Sequence, residues 1–120
     1  AVEEVNKVIG SEEIKFCREF VEKVHIEDEL LDYIARIVYT TRNNGDLFLG
    51  ASPRASLSIM KSAKAIAAIR NRDFVTPDDI RFVSFPVLNH RVILTPEREM
   101  EGSETEDIIR EIIKGIEVPR

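Results

Sequence analysis

Apolar residues recur at intervals of three and four along most of this chain, which is the spacing of amphipathic helices. The clearest repeat covers residues 28–42 and predicts a core helix there. A second helix is predicted from about residue 12 to residue 24, with Ser11 as its cap and one side buried. A third follows a capping sequence at 103–106 that begins with Ser103. The apolar stripe of residues 28–42 consists of Leu30, Leu31, Ile34, Ile37, Val38 and Thr41. The stripe of the helix at 12–24 consists of Ile14, Cys17, Phe20, Val21 and Val24, and that of the helix after 103–106 consists of Ile108, Ile109, Ile112, Ile113 and Ile116.

Two further helices are predicted in the middle of the chain. One runs from Pro53 to about Arg70, and its many small side chains suit the close approach of a neighbouring helix. The other has Thr76 as its cap and Pro77 in its first turn, and it continues to about Phe85. The apolar residues 47–49 are expected to dock on the core, and the geometry of segment 86–94 is left open. The pattern therefore predicts an all-α fold, a small helical bundle of about five helices.

The composition suits one small domain. The chain has 120 residues, of which 43% are hydrophobic, and its single cysteine, Cys17, is expected to serve packing. The sequence holds no membrane-spanning stretch and no signal-peptide pattern, so we expect no membrane partner and a cytoplasmic location. A net charge of −5 argues against a nucleic-acid partner. Residues 33–91 nevertheless carry nine basic and four acidic side chains, which is consistent with a central surface that faces an anion.

The segment from Gly50 to Arg54 leads out of a loop and into a helix. Ser52 is expected to cap this helix, and Pro53 suits its first position because proline has no amide hydrogen to satisfy there. Arg54 is then held in the first turn, where its planar guanidinium matches two oxygens of a phosphate. The segment indicates a phosphate-binding site, although a surface arginine on a well-capped helix would give the same sequence pattern.

Other kinds of active site find little support in the sequence. No glycine-rich phosphate loop is present, so the chain is not expected to hydrolyse a nucleotide by itself. His25, His90 and Cys17 lack the spacing of metal ligands, and we expect no metal site. Asp78 and Asp79 follow directly after the cap of their helix, so they are assigned to helix-start electrostatics and not to acid–base catalysis. His90 is interpreted as an interface or hydrogen-bonded histidine.

Three motifs, taken in order, resemble those of one protein family. They are GASPRA at 50–55, RDFVTPDDI at 72–80 and PVLNHRV at 86–92. Together they are similar to the C-terminal lid of MoxR-type AAA+ ATPases, and the similarity covers nearly the whole chain. The resemblance implies that residues 1–10 are a linker from an upstream ATPase core and that residues 11–120 form a helical AAA+ lid domain.

This resemblance also implies a role for Arg54. By its position in the GASPRA-like motif, Arg54 matches the sensor-2 arginine, a catalytic group that contacts the phosphates of ATP, with Ser52 and Pro53 shaping the helix entrance at the nucleotide. ATP and magnesium are implied for the complete protein, and no cofactor is expected in the isolated fragment. The implied partners are the ATPase core, neighbouring subunits of a ring that is commonly a hexamer, and client proteins such as those with von Willebrand factor A domains.

Three other interpretations stay open. The lid of a chelatase-type AAA+ ATPase would keep the role of Arg54 and change only the client. A histone-fold-like DNA-binding module would suit the helix start at Thr76 and the basic middle of the chain, but the net acidity counts against it. A bundle that serves only protein interaction would leave Arg54 as ordinary surface charge.

Overall fold

Six α-helices and one two-stranded ribbon form the fold in the computed structural model, which describes residues 2–119. A single 3₁₀ turn at Val2–Glu4 precedes them. The helices are α1 (Ser11–Glu22), α2 (Asp28–Arg42), α3 (Arg54–Ile69), α4 (Pro77–Asn89), α5 (Pro96–Met100) and α6 (Thr105–Gly115), and the strands are β1 (Leu47–Leu49) and β2 (Ile93–Leu94). The predicted all-α bundle is confirmed, with one short helix more than the five expected.

The core lies between α2, α3, α4 and α6. Isoleucines from three of these helices, Ile37, Ile59 and Ile108, are fully buried. Helix α3 turns the small residues Ala63 and Ala67 inward, and both have no exposed surface. Because alanine side chains are short, α3 and α4 can approach closely, and they share the most extensive helix contact of the described chain. The predicted close packing of α3 is therefore confirmed.

Helix α2 has the bounds that its periodicity predicts, Asp28–Arg42. Five of the six residues predicted to face the core are buried, but Leu31 is 37% exposed. Leu31 lies at the edge of the apolar stripe, and the side chain of Tyr33, which the pattern did not single out, fills the core on the other edge with only 1% of its surface exposed.

Helix α1 departs furthest from the prediction. None of its residues is buried, Phe16 and Phe20 are 68% and 43% exposed, and Cys17 is exposed, so the packing role expected for Cys17 is wrong. The reason is that α1 packs chiefly on α3, and no other helix of residues 2–119 covers its remaining apolar surface extensively. The helix starts at Ser11 and its N-cap residue is Gly10, so the capping role predicted for Ser11 is also wrong.

The turn between α3 and α4 is built around a buried carboxylate. Asp79 has no exposed surface and accepts hydrogen bonds from Arg72 Nη1 and Nη2 at 2.7 and 2.6 Å, from Arg70 Nη1 at 3.2 Å and from the Thr76 amide at 2.9 Å. Asn71 adopts a left-handed backbone with φ of 59° between the two arginines. Burial alone would raise the pKa of the Asp79 carboxyl, but the hydrogen bonds from Arg72 and Thr76 outweigh burial and hold this pKa below its ordinary value.

The first turn of α4 has the predicted cap. Thr76 Oγ1 accepts from the Asp79 amide at 3.4 Å, and Pro77 is the first helical residue. The helix was predicted to run to about Phe85 but continues through Pro86 to Asn89. Pro86 is on the exposed side, where water can satisfy the carbonyl that proline leaves without a donor.

Residues 47–49 form a strand, and the expected docking on the core is confirmed for Leu47, which is 8% exposed, but not for Phe48 and Leu49, which are 75% and 53% exposed. Leu47 pairs with Leu94 and Leu49 with Ile93, with an irregular register between the two pairs.

Helix α5 follows β2, with Thr95 Oγ1 accepting from the Arg98 amide. Helix α6 begins one residue later than its predicted cap requires: its N-cap is Glu104 and not Ser103, and the Glu104 amide donates to the Asp107 carboxylate at 3.4 Å.

Residues 2–119 contain neither a membrane-spanning helix nor a cluster of metal ligands. No helix within residues 2–119 combines the length and the apolar character that crossing a lipid bilayer requires. No group of three or more His, Cys, Asp or Glu side chains in the same residues is arranged to hold a metal ion. Ala1 and Arg120, the first residue of the predicted linker and the last of the predicted lid, lie outside the described part of the chain.

Candidate functional site

A cleft of about 660 Å³ lies beside the loop that joins β1 to α3. The loop residues 50–53 form one wall, and the side chains of Phe48 and Leu49 contribute apolar surface. Three arginines from separate parts of the fold line the same cleft: Arg42 at the end of α2, Arg54 at the start of α3 and Arg91 in the turn after α4. Among residues 2–119, no aspartate or glutamate lines it. The cleft is therefore basic in a chain whose net charge is −5.

The loop wall is anchored to the C-terminal end of α2. Thr41 is 1% exposed, and its Oγ1 accepts a hydrogen bond from the Ala51 amide at 3.0 Å while it donates to the Val38 carbonyl at 2.6 Å. Gly50 passes so close to α2 that a Cβ added there would lie 2.4 Å from the Thr41 carbonyl oxygen. Only glycine permits this approach, and the side chain of Ala51, 1% exposed, completes the contact. The loop is thus held at two adjacent residues.

The helix entrance forms by backbone hydrogen bonds. The Ala55 amide donates to the Ser52 carbonyl at 2.9 Å, and the Ser56 amide donates to the Pro53 carbonyl at 3.1 Å. Ser52 is exposed, and its hydroxyl makes no capping bond in the described structure. The capping role predicted for Ser52 is wrong. Pro53 has helical angles, φ −57° and ψ −24°, and stands one position before the first helical residue, Arg54.

Arg54 is exposed on the first turn of α3, as predicted. Behind it, Ala55 has no exposed surface and fixes the backbone of the turn against the core. The Arg54 guanidinium forms no ion pair and no hydrogen bond with residues 2–119. The backbone of Arg54 is therefore fixed at the helix start, while all the donors of its guanidinium remain available to an external acceptor.

The structure adds two residues that sequence reasoning did not place in the site, Arg42 and Arg91. Arg91 is half-buried, and its Nη1 atom is buried without any hydrogen-bond partner within the described residues. Arg42 is exposed in the last turn of α2, where a cation also suits the helix dipole. Arg91 belongs to the third motif of the resemblance, PVLNHRV, but nothing in that motif indicates that it would meet Arg54.

Several other residues considered in the sequence lie away from the cleft. His90 is exposed, with Nδ1 at 3.2 Å from the Pro86 carbonyl oxygen, and it does not line the cleft although Arg91 is next to it. His25 forms a pair with Glu27 on the surface at 3.0 Å. Asp78 is exposed and pairs with Arg81, whereas Asp79 belongs to the buried turn. Both aspartates therefore have structural contacts, and Asp79 does more than favour the helix dipole.

Comparisons with known proteins agree with this architecture. The family model described as the AAA lid domain matches residues 39–112. The uncharacterized protein YeaC of Bacillus subtilis is 40% identical over 118 residues, which cover 98% of this chain and 37% of that protein. Chaperone MoxR1 of Mycobacterium tuberculosis is 29% identical over 126 residues, which cover 98% of this chain and 33% of that protein. A crystal structure of a proposed ATPase from Cytophaga hutchinsonii matches with a TM-score of 0.90 and 34% identity, over 97% of this chain and 38% of that one.

The chain belongs to the AAA lid domain family, as the lid of a MoxR-like AAA+ ATPase. It spans little more than a third of the length of these relatives, from 33% to 38%. The family as a whole works with ATP and magnesium, and the cleft fits the first of these better than the second. Its arginines and the unpartnered Arg91 Nη1 suit phosphate oxygens. Magnesium prefers oxygen ligands such as carboxylates, and the described residues that line the cleft include none.

Proposed function

We propose that this lid supplies Arg54 to the phosphates of an ATP molecule held mainly by an ATPase core domain. The observation that carries the proposal is the state of Arg54 itself. The guanidinium has no protein partner among the described residues, lines a basic cleft, and follows a loop that Thr41 and Gly50 hold in place. An arginine whose backbone is held in place and whose guanidinium has no partner is suited to bind an anion that comes from outside the lid.

Arg54 has the chemistry for this role. A guanidinium is always charged and donates two parallel hydrogen bonds, so it can follow two oxygens of one phosphate. Charge accumulates on the phosphate oxygens as the phosphoryl group is transferred, and a fixed cation stabilises that charge without having to reorganise. The backbone at Ser52 and Pro53 sets the direction in which α3 presents Arg54, so these residues act by shaping the entrance. Their proposed contribution is geometric, since the Ser52 hydroxyl makes no capping bond.

The same proposal gives the lid its place in a larger machine. Contact between Arg54 and ATP would couple movement of the lid to the nucleotide state, within a ring of subunits that is commonly a hexamer. The exposed apolar side chains Val8, Phe16 and Phe20, at 88%, 68% and 43%, support a contact surface for the core or a neighbouring subunit. We further propose that residues 1–10 are the linker to that core and residues 11–120 the lid domain. We also propose that the complete protein remodels client proteins in the cytoplasm, including clients with von Willebrand factor A domains.

The decisive experiment compares the full-length ATPase with Arg54 intact, changed to Ala and changed to Lys. We expect Arg54→Ala to lower ATP turnover by about a thousandfold, because the positioned cation is lost. Arg54→Lys should rescue poorly, since an ammonium keeps the charge but cannot donate in the two-pronged geometry. ATP affinity is measured alongside turnover and should change much less, because the core holds most of the nucleotide.

Arg36→Ala is the matched control. Arg36 is an exposed arginine in the middle of α2 that does not line the cleft, so its removal changes the net charge by the same amount. Its turnover should stay at that of the unchanged enzyme. If the two Arg54 variants turn over ATP at the unchanged rate while remaining folded, Arg54 is ordinary surface charge and the proposal fails.

A further inference from the structure

We infer that Arg91 is a second anion-binding residue of the cleft and contacts the same polyphosphate as Arg54. The inference rests on the proposed function, because it takes ATP as the ligand of the cleft. It concerns a different residue, on a different part of the fold. Arg54 begins α3, whereas Arg91 lies in the turn between α4 and β2. The chain thus supplies two separately anchored guanidinium groups to one ligand.

The hydrogen bonding of Arg91 is the first reason. Its Nη1 atom is buried and has no hydrogen-bond partner within residues 2–119. Buried polar groups of folded proteins nearly always have a partner, so an orphaned donor calls for an explanation. A guanidinium cannot lose its proton to escape this situation, because it stays charged in proteins. The acceptor that satisfies Arg91 therefore lies outside residues 2–119, as water or as a ligand, and among ligands a charged donor prefers an anion.

Two other buried polar atoms of residues 2–119 have no hydrogen-bond partner, Tyr33 Oη and Arg98 Nε, and of these two residues only Arg98 carries a charge. The Nε atom of Arg98 is also buried without a hydrogen bond, but its guanidinium has carboxylates beside it. Asp46 Oδ1 lies at 3.4 Å and Glu101 Oε2 at 3.1 Å. Arg91 has no such carboxylate within the described residues. Burial of Arg98 is therefore compensated inside the protein, and burial of Arg91 is not.

The backbone around Arg91 is as firmly placed as that of Arg54. The Arg91 amide donates to the Leu88 carbonyl at 2.9 Å, which closes the turn at the end of α4. On either side, Leu88 has no exposed surface and Val92 is 6% exposed. These anchors hold the backbone of Arg91, and the half-burial of its side chain limits the directions that the guanidinium can take at the cleft. A side chain restricted in this way loses less conformational freedom when a ligand arrives, which favours binding.

The chemical class of ligand follows from the cleft as a whole. Three arginines without a carboxylate repel one another unless an anion neutralises them. One compact anion could satisfy a single arginine, whereas a chain of phosphates offers oxygens to two fixed guanidinium groups at once. A polyphosphate, the ATP of the proposed function, therefore fits the cleft. Arg42, which is exposed at the rim, adds to the local charge.

The test measures binding as well as turnover in the full-length ATPase. A fluorescent non-hydrolysable ATP analogue is titrated into the unchanged protein, Arg91→Ala, Arg91→Lys and Arg42→Ala. We expect Arg91→Ala to weaken affinity for the analogue by about tenfold or more, since a charge-assisted hydrogen bond is lost. Arg91→Lys should recover only part of the loss. Arg42→Ala removes the same charge from the rim and should weaken affinity by less than Arg91→Ala.

Thermal unfolding shows whether each variant is folded. If Arg91→Ala does not fold, the affinity of Arg91→Lys for the analogue is the measurement that tests the inference. Analogue affinity that is unchanged in both Arg91 variants overturns the inference. An equal loss in Arg42→Ala and Arg91→Ala also overturns it, because Arg91 would then act only through its net charge. The two hypotheses can fail separately. If Arg54→Ala loses turnover while both Arg91 variants keep their affinity for the analogue, the inference about Arg91 is rejected and the proposed role of Arg54 stands. If the Arg54 variants keep their turnover, the proposed function is rejected.

Discussion

Helix α3 has arginines at both ends, and the two ends differ in what neutralises them. At the C-terminal end, Arg70 and Arg72 donate to the carboxylate of Asp79, which is fully buried. At the N-terminal end, Arg54 shares a cleft with Arg91, and neither pairs with a carboxylate of residues 2–119. Both ends are held firmly by the backbone, so mobility does not explain the difference.

This contrast separates two uses of the same side chain. Where the fold supplies an acceptor for every donor, the arginine stabilises the protein and its removal leaves a buried charge unpaired. Where the fold places an arginine and supplies no acceptor, it gives up stability at a position that suits a ligand. Sequence alone shows arginines near both ends of α3 and cannot tell the two uses apart. The predictions that follow separate them experimentally.

The largest effect on stability is expected from Asp79→Ala. We expect the free energy of unfolding to fall by about 3 kcal/mol, because the buried partner of Arg70 and Arg72 and a member of the α4 capping box are lost together. Chemical denaturation of the 120-residue chain measures the change. Asp78→Ala is the control, since Asp78 is exposed and its pair with Arg81 should contribute no more than about 0.5 kcal/mol. Equal losses in the two variants would contradict the structural role of Asp79.

A smaller effect is expected from Gly50→Ala at the other end of α3. The new Cβ would meet the Thr41 carbonyl oxygen at 2.4 Å, so the backbone must move, at a cost of about 2 kcal/mol in the free energy of unfolding. In the full-length ATPase the displaced loop should also lower turnover, although Arg54 itself is intact, because catalysis depends on its position.

Gly45→Ala is the matched control for that loop. Gly45 lies in the turn before β1, has no heavy atom within 4 Å of an added Cβ, and does not have a left-handed backbone. Its substitution should change stability by no more than about 0.5 kcal/mol. If Gly50→Ala behaves like Gly45→Ala, the anchoring of the cleft wall on α2 is not as tight as the structure indicates.

The smallest effect is expected from acid. The pKa of Asp79 is lowered in the folded chain from its ordinary value of 3.8, so the ionised carboxylate adds stability above that value, and this stability is lost as the pH falls through the folded pKa. The difference in unfolding free energy between the unchanged chain and Asp79→Asn should therefore narrow between about pH 5 and pH 3. Denaturation curves at a series of pH values measure the difference. A difference that is constant over this range would mean that Asp79 does not titrate as its contacts require.

Much of the local structure could be predicted because its causes lie within a few residues. The periodicity of α2 predicts its bounds, and Thr76 with Pro77 predicts the start of α4. The exposed position of Arg54 at the start of α3 was also predictable. The capping role expected for Ser52 failed because α3 begins at Arg54 with Pro53 at the N-cap position, one residue later than a Ser52 cap requires.

Burial of α1 could not be predicted from its own pattern. An apolar stripe indicates that a helix has a face to cover, but the number of neighbours that cover it is set elsewhere in the chain. Helix α1 packs chiefly on α3, and for this reason Cys17 and Phe16 are exposed. The ion pairs of Asp79 were missed for a related reason, since they require the left-handed turn at Asn71 to bring both arginines to one carboxylate.

The sequence by itself determined the class of fold, most helix bounds and three residues that line the candidate site, Ser52, Pro53 and Arg54, because helix spacing, caps and the GASPRA motif act over short distances along the chain. Only the tertiary structure decided which arginines are paired and which share the cleft. Arg42, Arg54 and Arg91 are far apart in the sequence and meet because α2, α3 and α4 pack around one core. Long-range packing determines the neighbours of a charge, and those neighbours determine whether the charge is left available to a ligand.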